Sequence, residues 1–183
     1  MSLRAVGIRL KLVPPAAPPV QILRDYVGAK QHGDLLCWAA CVESALRSPP
    51  NHQYVTQAEL AKLHIYECRS IYYDADIRGT ECDEQMDSDR MTTVWYDAGF
   101  TGVEFSTDIP EPLGEFVAEE LCQRGPIQAW IDQRHGVMIY GYRKYADGKE
   151  EVLEMDPQPS VRDYWRSLES ASLWTGLWRG LHA

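Results

Sequence analysis

The sequence changes period at Gly125, and that change constrains the fold more than any other feature. Downstream of it, Pro126 to Asp132, Val137 to Tyr145 and Glu150 to Met155 are rich in Val, Ile, Trp and Tyr, and Asp147-Gly148 supplies a hairpin turn signal between the last two. Upstream, apolar residues follow helical spacing. Leu35 to Arg47 reads as a helix stopped by Ser48-Pro49-Pro50, and its apolar residues occupy several faces, so it should be buried. Thr56 to Tyr66 is a second helix, with Thr56 as cap and Glu59 three residues later in capping-box spacing. Met91 to Ala98, ended by Gly99, and Pro112 to Arg124, ended by Gly125, complete the helical set. Helices first and strands after predict an α+β domain, in which a helical half packs against a mostly antiparallel β-sheet and leaves a cleft between the halves.

A chain of 183 residues accommodates one such domain plus a short arm. The arm is residues 1–29: residues 6–13 alternate weakly like a strand, and the Pro-rich run 14–19 is a stiff extended connector. An edge strand, a pro-segment and a docking tail are all open readings of it. The domain proper is residues 30–183. Residues 67–90 read as a polar loop, whose acidic tract from Asp74 to Asp89 is either a face for basic peptides or a solvated surface, the surface being the simpler reading.

The formal net charge of −9 gives no electrostatic footprint for nucleic acid or for an anionic membrane. No stretch approaches the roughly 20 apolar residues that span a bilayer. Lys11 and Pro14, Pro15, Pro18 and Pro19 interrupt any signal-peptide core, so the expectation is a soluble protein, cytoplasmic as synthesised. The five cysteines are an odd set without a C-x-x-C pair, which argues against a disulfide framework and against a common zinc site.

Chemistry concentrates in Gln31-His32-Gly33-Asp34-Leu35-Leu36-Cys37-Trp38-Ala39-Ala40-Cys41. A thiol in the first turn of a helix meets the positive end of the helix dipole, which stabilises thiolate. Cys37 has that position; Cys41, one turn on, reads as core. A second segment, Arg134-His135-Gly136-Val137-Met138-Ile139-Tyr140-Gly141-Tyr142, opens a hydrophobic strand with a histidine. His32 is the only serious rival as a base, since His52, His64 and His182 lack this context.

Together these segments resemble the papain-like cysteine proteases, in which a Gln precedes a Cys-Trp pair by six residues and a distant His opens a strand. Gln31, Cys37, Trp38 and His135 fit that pattern, and Asp156-Pro157 stands where the family has Asn or Asp. The Asp-Pro pair is similar to the bacterial branch that includes bacteriocin leader peptidases and injected effector proteases. The resemblance covers roughly residues 30–158 and implies Cys37 as nucleophile, His135 as general base, Asp156 as the acceptor of the His135 Nδ1–H, and Gln31 as an oxyanion-hole donor. Trp38, Arg134 and Gly136 then border the substrate cleft, with Trp130 and Trp174 as further candidate walls, although aromatics at the positions of the three tryptophans are more often core. A strict two-residue turn at Asp147-Gly148 would set Asp156 opposite Ile139, so a wider loop or a bulge is required.

What the resemblance implies is hydrolysis of peptide or isopeptide bonds in a protein or peptide substrate, with neither metal nor organic cofactor. By the same analogy the setting is a secreted or injected bacterial effector or toxin, with an unidentified inhibitor, immunity or delivery partner. Transglutaminase-like acyltransferases and NlpC-type amidases share parts of the pattern, although the former usually follow the His with an aromatic and the latter lack the upstream Gln. From another class, a catalytically inactive binding module of papain fold would also fit.

Overall fold

Helix α1, Cys37–Arg47, is buried at every residue from Cys37 to Leu46, as its apolar composition on several faces requires. The computed structural model of the chain describes residues 21–22, 25–49, 51–66, 68 and 77–180. Helix α2, Gln57–His64, begins at the expected capping box, in which the Thr56 hydroxyl accepts from the Glu59 N–H and the Glu59 carboxylate accepts from the Thr56 N–H. Helix α3, Ser88–Asp97, starts three residues ahead of its first apolar position because the Asp87 carboxylate caps it, accepting from the Arg90 N–H. Helix α4 spans Leu113–Gln123.

The strands are β1 (Gln21–Ile22), β2 (Glu104–Ser106), β3 (Ile127–Ile131), β4 (His135–Lys144), β5 (Glu150–Met155), β6 (Tyr164–Ser167) and β7 (Trp174–Arg179). All pair antiparallel in the order β2-β7-β3-β4-β5-β6, and β1 adds to β4 at Gly141 and Tyr142, just past Ile139, which the first residue of β3 faces. Pairs β3–β4 and β4–β5 lie where the sequence puts them. Strands β1, β2, β6 and β7 are additions, and β7 enters the middle of the sheet although it follows β6 in the chain.

The sheet separates two cores. On one face, Trp130, Met138, Met155 and Trp178 pack with Trp38, Val42, Leu46, Leu60, Met91 and Trp95 from α1, α2 and α3. On the other, Ile127, Ala129, Val137, Ile139, Val152 and Leu177 pack with Leu113, Val117 and Leu121 of α4. The period-2 alternation of the strands divides these sets. The α+β architecture, helices first and antiparallel sheet after, is therefore as expected, with the addition that α4 crosses to the far face.

Three expectations need correction or fall outside the described residues. Cys68 and Cys82 form a disulfide, their Cα atoms 5.0 Å apart, so the odd cysteine count conceals one covalent pair that only tertiary proximity makes. Trp38 does not border a cleft: it is 1% exposed, and its indole N–H donates to the Glu84 carbonyl at 3.0 Å. The strand expected over residues 6–13 and the connector over 14–19 lie outside the described residues. No helix among those described is long and apolar enough to cross a membrane.

Candidate active site

Cys37 is the first residue of α1, and the first N–H groups of a helix have no partner within it. Helix α1 runs beneath the sheet so that this end meets the start of β4. There the Gly136 N–H donates to Cys37 Sγ at 3.4 Å, and the Arg134 carbonyl oxygen lies 3.8 Å from the same sulfur. Gly136 permits this approach. A Cβ at that position would stand 3.0 Å from Gln128 Nε2 and 3.6 Å from Cys41 Sγ. Gly136 is thus a buried spacer that lets strand and helix close together, while Arg134 itself is exposed and contributes its carbonyl.

His135 sits between two partners. Its Nε2 is 2.8 Å from Asp156 Oδ1, and Cys37 lies on its other side, close enough to act on its charge. The expected contact to Asp156 through Nδ1 is therefore reversed: Nε2 faces the carboxylate and Nδ1 is left for the sulfur side. Burial alone would lower the His135 pKa, but the hydrogen bonds to Asp156 and Cys37 and the charge of both outweigh it and push the value up to about 10. The imidazole accordingly holds a proton at neutral pH.

The register problem at Asp156 has a physical solution. Lys144 pairs with Glu150 across a five-residue loop, and a bulge between Ile139 and Gly141 shifts the later pairs, so Met138 faces Met155. Loop and bulge together bring Asp156, just past the end of β5, within reach of His135. Burial alone would raise the Asp156 pKa, yet the His135 hydrogen bond, the Gln158 N–H at 2.9 Å and the nearby Lys30 charge hold the carboxyl below its ordinary value. Lys30 reaches it by donating to the Asp156 and Val161 carbonyls, both at 2.7 Å.

Gln31 approaches the same place on a backbone strung between the helices and Asp156-Pro157. Its N–H donates to the Pro157 carbonyl at 2.8 Å, and Gln57 of α2 brackets it, donating to the Lys30 carbonyl and accepting from the His32 N–H. The Gln31 amide nitrogen donates to the carbonyls of Gly33 at 2.7 Å and Asp34 at 3.1 Å, while Oε1 is buried without a partner. Both amide hydrogens are thus engaged by the loop that leads into Cys37.

Cys41 is fully buried one turn behind, and burial pushes its thiol well above the ordinary range, as befits a core residue. His32, the rival base, is exposed and has no contact with the sulfur among the described interactions. Beside the β3–β4 hairpin lies a cavity of about 320 Å³, bordered by the rings of Phe105, Trp130 and Trp178 and by Asp87, Gln133 and Thr175. Trp130, 5% exposed, borders this cavity from the core, and Trp174, 4% exposed, packs in the core under α4 and borders a separate opening beside Leu113 and Glu150. Asp83 and Gln85 also touch the site, although the acidic tract that contains them reads from sequence as a face for basic peptides or, more simply, a solvated surface. The absence of a side chain at Gly33 makes room for this approach, since a Cβ there would run into the Asp83 carboxylate.

No family model matches the sequence, and no curated protein matches it. Among solved structures it is similar to that of UfSP from C. elegans, a cysteine protease of papain-like fold, with a TM-score of 0.57 and 12% identity over 92% of this chain. The chain spans 35% of the length of that protein. At this identity the likeness establishes the papain-like fold.

Proposed function

We propose that the chain is a cysteine peptidase that hydrolyses peptide or isopeptide bonds. The observation that carries the reading is His135, bound to Asp156 at 2.8 Å and electrostatically coupled to Cys37, with the N–H of the next residue, Gly136, donating to the Cys37 sulfur at 3.4 Å. In this reading the proton resides on His135 before substrate arrives, a change from the neutral base expected from sequence, and the sulfur attacks the carbonyl carbon directly. His135 then gives its proton to the leaving nitrogen as the C–N bond breaks, leaving a thioester on Cys37. Water attacks the thioester while His135 takes up its proton, and the C–S bond breaks to release the acid.

The first oxyanion donor is the Cys37 backbone N–H at the helix start. Gln31 supplies the second by releasing its longer hydrogen bond, to the Asp34 carbonyl at 3.1 Å. The aromatic cavity beside Gln133 is suited to one bulky apolar substrate side chain, because three rings line it and polar groups form its edge.

A proteome-derived peptide library, incubated with the parent and with Cys37→Ala, tests the reading: new peptide termini should appear with the parent alone. An added primary amine joined to the library in place of hydrolysis would make the chain an acyltransferase, and no Cys37-dependent product of either kind would leave a binding module.

The charge states also fix the pH profile. A raised His135 pKa keeps the general acid protonated to high pH, so the alkaline limb of kcat/KM should lie near pH 10, far above the ~6.5 of a free imidazole. Asp156 is held below its ordinary value and stays ionised throughout, so removing it in Asp156→Ala should move the alkaline limb downward.

A further inference from the structure

Residues 82–86 touch both halves of the site in consecutive positions. The Asp83 carboxylate accepts the N–H groups of Asp34 at 2.8 Å and Leu35 at 2.6 Å, the loop immediately ahead of Cys37, and a third from Gly79 at 3.0 Å. The Glu84 carbonyl accepts the indole N–H of Trp38, the residue after Cys37. The Gln85 amide then crosses to the other side and donates to the carbonyls of Gln133 at 3.3 Å and Arg134 at 3.2 Å, immediately ahead of His135. Met86 anchors the end of this run in the core, and the Cys68–Cys82 disulfide anchors its beginning.

The hairpin that Gln85 holds is strained. Asp132 and Gln133 have φ of 51° and 58°, the left-handed region that side chains other than Gly seldom adopt. Such a conformation persists only where its surroundings over-determine it. Here the surroundings are the Thr175 hydroxyl, which accepts the Gln133 N–H at 2.9 Å, and the two bonds from Gln85.

We propose that residues 82–86 are a clamp that sets the separation of Cys37 and His135, with Asp83 and Gln85 as positioning residues, one for the helix side and one for the strand side. This rests on the cysteine peptidase reading for its consequence in catalysis, although the clamp itself concerns only the meeting of sulfur and imidazole. Neither residue touches the reacting atoms. Each acts through the backbone it holds, so a small displacement of either side carries through to the pair.

The test compares the parent with Asp83→Ala, Asp83→Asn and Gln85→Ala, using iodoacetamide alkylation of Cys37 mapped by mass spectrometry, NMR titration of the His135 ring, and thermal midpoint. Misplacement on the scale of 1 Å lowers reactivity by up to about 10²-fold, so Asp83→Ala should slow alkylation about 10- to 100-fold. Asp83→Asn, which keeps one acceptor oxygen, should fall between it and the parent. Gln85→Ala removes two bonds at the surface and should slow alkylation about 2- to 12-fold, the rate equivalent of one ordinary hydrogen bond.

In both alanine variants the His135 midpoint should drop from near 10, because contact with Cys37 contributes to it; a loss of fold stability alone would leave that midpoint in place. Folded variants with the parent's midpoint and alkylation rate overturn the clamp. Should Asp83→Ala not fold, Gln85→Ala decides the matter alone. If instead Cys37 of the parent reacts no faster than the exposed Cys122, the peptidase reading fails, and the His135 midpoints still decide the clamp.

Discussion

Cys37→Ala should lower peptide hydrolysis by about 10⁴-fold or more, the loss expected when the nucleophile of an acyl-transfer site is removed. The fold should survive it. Cys37 is buried at 5% exposure, but it is a small residue at the start of α1 and outside the core cluster that holds Trp38, Trp95 and Trp178, so circular dichroism and the thermal midpoint should stay close to the parent's. Loss of activity together with loss of fold would leave the two roles unseparated, and Cys37→Ser, nearly isosteric, settles that case by the same hydrolysis measurement. A serine variant with the parent's rate would contradict a thiolate nucleophile, because a hydroxyl beside an imidazolium has no comparable anionic form.

His135→Ala should cost about 10²- to 10⁴-fold in kcat/KM, the range for removal of a general acid–base group. It also removes the partner of a carboxylate held below its usual range, so Asp156 loses the hydrogen bond that offsets its burial. The alkaline limb near pH 10 should vanish with it, since that limb belongs to the imidazole. A variant that keeps the limb would assign it to another group. Steady-state rates across the pH range distinguish the outcomes.

Much of this arrangement is legible in the sequence, for reasons that particular residues make clear. Leu35 to Arg47 announces a buried helix because apolar residues surround it, and Thr56 with Glu59 fixes the start of α2 because both halves of a capping box are local. The strands β3, β4 and β5 are β-branched and aromatic runs joined by short turns, so their pairing is close to dictated by the chain. Cys37, His135 and Asp156 come together because those same elements carry them.

What escaped the sequence depends on distant pairing. Strand β7 runs between β2 and β3, and nothing near Trp174–Arg179 names those partners. The Cys68–Cys82 bridge is invisible to a count of five cysteines. Asp83 belongs to an acidic tract that solvates well on its own, and its place in the site depends on the N–H groups of Asp34 and Leu35, 49 and 48 residues earlier. The reach of Asp156 to His135 likewise depends on the bulge between Ile139 and Gly141, which no local pattern records.

Reaction with an epoxysuccinyl peptide, followed by mass-spectrometric mapping of the adduct, tests the union of nucleophile and imidazole most directly. Cys37 is nearly enclosed, whereas Cys122 is exposed, so accessibility alone favours the wrong thiol. The expected result is a single adduct on Cys37, formed in the parent and absent from His135→Ala. Labelling of Cys122 ahead of Cys37, or equal labelling of Cys37 with and without His135, would contradict it.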